Sequence, residues 1–168
     1  MASAFGRREI IAAATAIMVL AGVGWAWFGD SAERAPDVTF ADLDGQTLTM
    51  AELRERPVIV YFWATDCVTC MREMPDLVEL YRDLSADGLE LVAVAMSHDD
   101  IDDLRAVRAN RDLPFPIVFD ADGELARAFG NVRVTPTKYL VDPAGRIRMR
   151  HIGTTDHTAL RERIQPLL

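Results

Sequence analysis

Trp63-Ala64-Thr65-Asp66-Cys67-Val68-Thr69-Cys70-Met71-Arg72-Glu73-Met74-Pro75 is the stretch on which the reading of this chain turns. It holds the chain's only two cysteines, separated by Val68 and Thr69. Before it runs Val58-Ile59-Val60-Tyr61-Phe62-Trp63, a β-branched and aromatic segment that reads as a buried strand. After it, Met71 to Ala86 reads as a helix, with Met74, Leu77, Leu80, Tyr81 and Leu84 near helical spacing. A cysteine pair where a strand feeds a helix suggests thiol–disulfide chemistry. The helix start offers unpaired N–H groups and a positive dipole end that favour a thiolate at Cys67. One turn brings Cys70 back to the same side, within reach of a disulfide. A bridge over so short a loop constrains the unfolded chain little, which argues against a purely structural disulfide.

Working outward, Ile10 to Phe28 is a run of 19 uncharged residues in which Thr15 is the only hydroxyl. At ~1.5 Å per residue it spans roughly 28 Å, close to a bilayer's hydrocarbon core. Arg7 and Arg8 precede it, and Trp25, Trp27 and Phe28 crowd its end. The charge order places residues 1–9 in the cytoplasm, 10–28 across the inner membrane, and the rest on the periplasmic side. A cleaved secretory signal is the alternative, but no small-x-small site follows the run. A twin-arginine signal fits its flanks poorly.

Gly29 to Pro36 is polar and reads as a linker, leaving residues 37–168 as one domain large enough for a core. The chain is 50% hydrophobic with a net charge of −8. Only Arg7, Arg8 and Glu9 are charged before residue 30, so the remainder is near −9. That balance argues against nucleic acid or anionic lipid as a partner.

Asp44-Gly45 between two short apolar runs predicts a β-hairpin. Met50 to Arg56 predicts a helical turn or two, ended by Pro57. Leu89 to Met96 reads as a central strand, Asp99 to Asn110 as an amphipathic helix, and Ile117 to Phe119 as a short strand. Thr137 to Val141 and Ile147 to Ile152 form a hairpin, and Asp156 caps a last helix. Pro75 inside the cysteine helix removes one hydrogen bond. The order predicts an α/β protein with a mixed sheet and helices on both faces.

With these elements in place, Trp63 to Pro75 resembles the W-A-x-x-C-x-x-C-x-x-E-x-P signature of TlpA/ResA-like thioredoxins, membrane-tethered or exported oxidoreductases of the cytochrome c biogenesis type. Val132-Arg133-Val134-Thr135-Pro136-Thr137 looks like that family's V-x-x-T-P-T loop. The resemblance implies a thioredoxin fold, with Cys67 as nucleophile and Cys70 as buried resolving thiol. It implies Pro136 as a cis-proline opposite the pair, holding the Thr135 backbone to meet a substrate strand, and Trp63 packed beside the disulfide. Glu73, one turn beyond Cys70, either manages its proton or is an ordinary solvated carboxylate. Two positions depart from the pattern. Asp66 stands where the family usually has Trp, and Tyr61 where thioredoxins carry a buried carboxylate. A carboxylate beside Cys67 disfavours its thiolate, which makes the couple more reducing.

The leading function is therefore an extracytoplasmic reductase of protein disulfides, with no cofactor beyond the Cys67–Cys70 couple. Its clients would be apocytochrome c or other exported thiol proteins, and a membrane electron donor would re-reduce it. A Sco-like copper site would need a histidine at the cysteines, from His98, His151 or His157. Structural zinc would need a second ligand pair that is absent. A peroxiredoxin-like peroxidase would need threonine where Ala64 stands. A binding-only module with an idle site has Asp66 alone in its favour.

Overall fold

The computed structural model describes residues 33–168, together with Ile17 and Met18, which are helical. Among the described residues no helix is long and apolar enough to cross a membrane, and the anchor expected over 10–28 otherwise lies outside them.

Strand β3 (Val58–Trp63) is the centre of the domain, and all six of its residues are buried. Its continuous apolar character follows from its neighbours. In the five-stranded sheet β4 (Glu90–Ala95) lies parallel to it on one side, and β6 (Thr137–Val141) antiparallel on the other. Strands β5 (Ile117–Phe119) and β7 (Ile147–Ile152) are the edges, so the order is β5-β4-β3-β6-β7. The expected hairpin forms a separate two-stranded sheet of β1 (Thr39–Ala41) and β2 (Thr47–Thr49).

The pleat sorts side chains to two cores. Ile59, Tyr61 and Trp63 share one with helix α1 (Val68–Leu84), Leu104 of α2 (Ile101–Arg111), and Leu160 and Ile164 of α4 (His157–Ile164). Val58, Val60 and Phe62 share the other with Phe40 of the hairpin and Leu125 and Ala126 of α3 (Glu124–Ala128). Burial of each large side chain contributes about 1.5–3 kcal/mol. The fold is thioredoxin-like, a mixed sheet with helices on both faces.

Helix α1 starts at Cys67 as N-cap and presents Cys70, Glu73, Met74, Leu77 and Leu84 to the core. A short 3-10 turn, Ser85–Asp87, ends it, and Gly88 closes at φ 109, where a side chain would be strained. The helix runs through Pro75. The proline lacks the N–H that would bond Met71 O, and Arg111 at the end of α2 donates to that oxygen instead at 2.9 Å.

Met50 to Arg56 is not helical, contrary to expectation; it is a run of turns. Thr49 and Glu52 cap each other, but Glu55 takes φ 74 and donates its N–H to Pro143 O at 2.9 Å. That tertiary bond and the left-handed residue stop propagation, while Met50 and Leu53 still reach the core. The last residues of the expected linker are also pinned. Glu33 O accepts from Ile147 N at 2.7 Å, and Ala35 N donates to Gly145 O at 2.9 Å.

Candidate active site

The cysteines lie at the C-terminal end of β3, where the chain turns into α1. Cys67 and Cys70 form a disulfide with a Cα–Cα distance of 5.2 Å. Cys67 Sγ serves as the helix cap and accepts the Cys70 N–H at 3.1 Å. Cys67 is half-buried and Cys70 has no exposed surface. The two sulfurs are therefore unequal: one meets solvent and a backbone donor, the other is sealed in the core. The turn before them is braced from β4's far end, where Asp99 accepts the Thr65 N–H at 2.9 Å and the Thr65 hydroxyl.

Trp63 is fully buried and shares the core cluster with Cys70. The Thr135–Pro136 peptide is cis. Pro136 is buried, Thr135 half-buried, and Val134 before them 54% exposed. Val68, between the cysteines, is 69% exposed, so apolar side chains are offered to solvent at the pair itself and beside the proline. Asp66 is exposed, and His98 Nε2 stands 3.4 Å from its carboxylate.

Glu73 is not a solvated helix carboxylate. It is buried, and Oε1 accepts from Lys138 Nζ at 2.8 Å and from Thr155 N at 2.9 Å. Lys138 is itself wholly buried on β6, donates to Gly153 O at 3.1 Å, and lies 5.4 Å from the centre of the Tyr61 ring. Burial pulls the Lys138 ammonium below the ordinary lysine range, and the bond to Glu73 opposes that pull. Burial, then the charge of Glu73, pushes the Tyr61 phenol up. Sequence reasoning singled out Tyr61 and Glu73 but missed Lys138. The available signal was the single charged residue, a lysine, within the strand Thr137 to Val141.

Of the three candidate histidines, His98 faces Asp66, and the other two are paired elsewhere. His157 Nε2 is 3.1 Å from Asp76 on α1, and His151 Nε2 bonds Thr154 O at 2.7 Å. Among the described residues no group of three His, Cys, Asp or Glu side chains is arranged to hold a metal ion.

The sequence matches the AhpC/TSA family over residues 32–150. The chain belongs to that family. Within it, the likeness is to thiol–disulfide oxidoreductases. It is 34% identical over 121 residues to the thiol-disulfide oxidoreductase ResA of Halalkalibacterium halodurans, covering 72% of this chain and 68% of the relative. It is 29% identical over 157 residues to ResA of Geobacillus kaustophilus, covering 88% and 89%. Its fold matches a thioredoxin family thiol:disulfide interchange protein from Chlorobium tepidum, with a TM-score of 0.75 at 23% identity over 82% of this chain and 97% of that one. This member of the AhpC/TSA family has Ala64, not threonine, three residues before Cys67, so it lacks the peroxidase hydroxyl. The arrangement suits a dithiol that cycles with a disulfide.

Proposed function

We propose that this thiol–disulfide oxidoreductase works as a protein-disulfide reductase on the outer side of a membrane to which residues 10–28 tether it. One observation carries the chemistry: Cys67 Sγ caps a helix and accepts a backbone N–H at 3.1 Å, while Cys70 sits buried one turn on. In the reduced protein a Cys67 thiolate occupies that cap, favoured by the N–H and the helix dipole. It attacks a client disulfide, forms a mixed disulfide, and expels one client thiolate. Cys70 then attacks Cys67 Sγ, forms the internal disulfide, and expels the second client sulfur. Two electrons pass to the client, and a membrane dithiol donor restores them.

The cis Thr135–Pro136 segment and exposed Val134 and Val68 supply the surface on which a client strand lies. Asp66 supports the reducing direction, because its carboxylate disfavours the thiolate and so the reduced form. The uncharged run from Ile10 to Phe28, with arginines before it, supports the tether and outward orientation. Clients of this class are exported proteins whose cysteines must be kept reduced, apocytochrome c among them.

The test is Cys70→Ala in the full chain. It is expected to accumulate mixed disulfides through Cys67 that reducing agents release, while the parent chain reduces insulin and accumulates none. A parent chain that does not reduce insulin, together with a Cys70→Ala variant that yields no adducts, removes the reductase reading.

A further inference from the structure

We propose that Lys138 is a positioning residue for the resolving step: its buried ammonium holds Glu73 as an open base beside Cys70 and stays as counter-charge while the proton moves. The proposal rests on the oxidoreductase reading above. Cys70 and Glu73 lie three residues apart on the buried face of α1, so their side chains are neighbours one turn apart. Glu73 Oε1 is taken by Lys138 Nζ and the Thr155 N–H, at 2.8 and 2.9 Å. Glu73 Oε2 is buried without a hydrogen-bond partner among the described residues. One oxygen is thus fixed and the other is left able to accept a proton.

A carboxyl group buried alone sheds its charge by staying protonated, and a protonated carboxyl cannot take a proton from a thiol. Lys138 prevents that. Its own ammonium is held by Gly153 O at 3.1 Å and by the Tyr61 ring, so it does not depend on Glu73 alone. In the resolving step the Cys70 S–H proton passes to Glu73. The Cys70 thiolate bonds to Cys67 Sγ, and the client sulfur leaves with the electron pair of the broken S–S bond. Before the transfer the layer holds Lys138 positive and Glu73 negative; after it, Lys138 positive and Cys70 negative. The net charge stays at zero throughout, whereas without Lys138 the layer must go from neutral to a net charge of −1 in an apolar core before Cys70 can attack. The other titratable groups around the Glu73–Lys138 pair are Tyr61 on β3, Asp76 one turn further along α1, His157 at the start of α4, paired with Asp76 at 3.1 Å, and His151 on β7, the cross-strand partner of Lys138, whose Nε2 bonds Thr154 O.

The experiment is a single turnover of the reduced full chain with an aromatic disulfide whose released thiolate is coloured. The first equivalent reports attack by Cys67 and the second reports resolution by Cys70. In Lys138→Met the first phase should keep its rate. The second should slow about tenfold or more near neutral pH, with its pH midpoint raised by about one unit or more. A Lys138→Met, Glu73→Gln double variant removes both charges and guards against misfolding of the single one; it too should keep the first phase and lose the fast second. A second phase with the parent's rate and pH profile in either folded variant overturns the inference. A parent chain that releases no second equivalent sinks the oxidoreductase reading, and this inference with it.

Discussion

The two faces of the central sheet each bury a tyrosine, and they treat it differently. On the face opposite the cysteine helix, Tyr139 donates its hydroxyl to Phe129 O and packs its ring 5.0 Å from Phe129 and 6.0 Å from Phe62. Its one polar atom is answered, and its ring meets Phe129, Phe62 and, at 5.7 Å, the guanidinium of Arg150. On the cysteine face, the Tyr61 hydroxyl is buried without a hydrogen-bond partner, under a buried ammonium and beside a buried carboxylate. One face answers its buried polar groups, Asp120 among them through the N–H groups of Leu125 and Ala126. The other accepts buried charge and an unpaired hydroxyl, both of which cost stability, in the layer that adjoins the disulfide.

The largest break of this contrast should come from Phe129→Ala. Phe129 is buried and makes an edge contact to Phe62 at 5.5 Å. Truncation should cost ~3–5 kcal/mol in urea unfolding, yet leave the reduction potential of the folded fraction unchanged. A shifted potential would show that the two faces are coupled and the division false.

A smaller effect separates the tyrosines themselves. Tyr139→Phe leaves Phe129 O unanswered and should cost about 1–2 kcal/mol. Tyr61→Phe removes an unpaired hydroxyl, so it should be neutral or stabilising by up to ~1 kcal/mol. The pH limb gives the sign a second check. The folded Tyr61 phenol is held above its ordinary 10.0, so its contribution is intact below that pH and is lost as pH rises beyond it, where the unfolded chain alone ionises. Tyr61→Phe should therefore make the alkaline loss of stability shallower. An equal cost for both variants would mean that the hydroxyl of Tyr61 is satisfied in solution.

The smallest effect is expected at Asp66, which lies in water rather than in either core. Asp66→Asn should raise the reduction potential by no more than ~20 mV, equivalent to about 1 kcal/mol for two electrons. Salt should erase the difference, because His98 and solvent already screen the exposed carboxylate. A downward shift would overturn the direction assigned to Asp66.

How much of this was legible in the residues depended on the range of the interaction. Strand β3, the cysteine helix and the hairpin of β6 and β7 are written in local period, turn residues and caps, and they stand within a few residues of where the pattern puts them. Both site motifs were legible as well, because thiol chemistry needs its two sulfurs one helical turn apart. The segment from Met50 to Arg56 was misread as helix, since only Pro143, far along the chain, reveals the bond that turns Glu55 out. Asp120 gave no local sign that it is buried and accepts the N–H groups of Leu125 and Ala126 at the start of α3. The expected loss of a hydrogen bond at Pro75 was sound, but its repair by Arg111 was not visible.

By itself, then, the sequence determined the elements and the redox pair at its helix start, because these follow from periodicity and helix geometry over short spans. The tertiary structure alone decided the electrostatics beneath the pair. A glutamate three residues past the second cysteine and a lysine two past the proline carry no mark of belonging together. Their charges become a buried pair only when β6 is laid beside β3 and α1 is packed over both, which removes the water that would otherwise solvate each one separately.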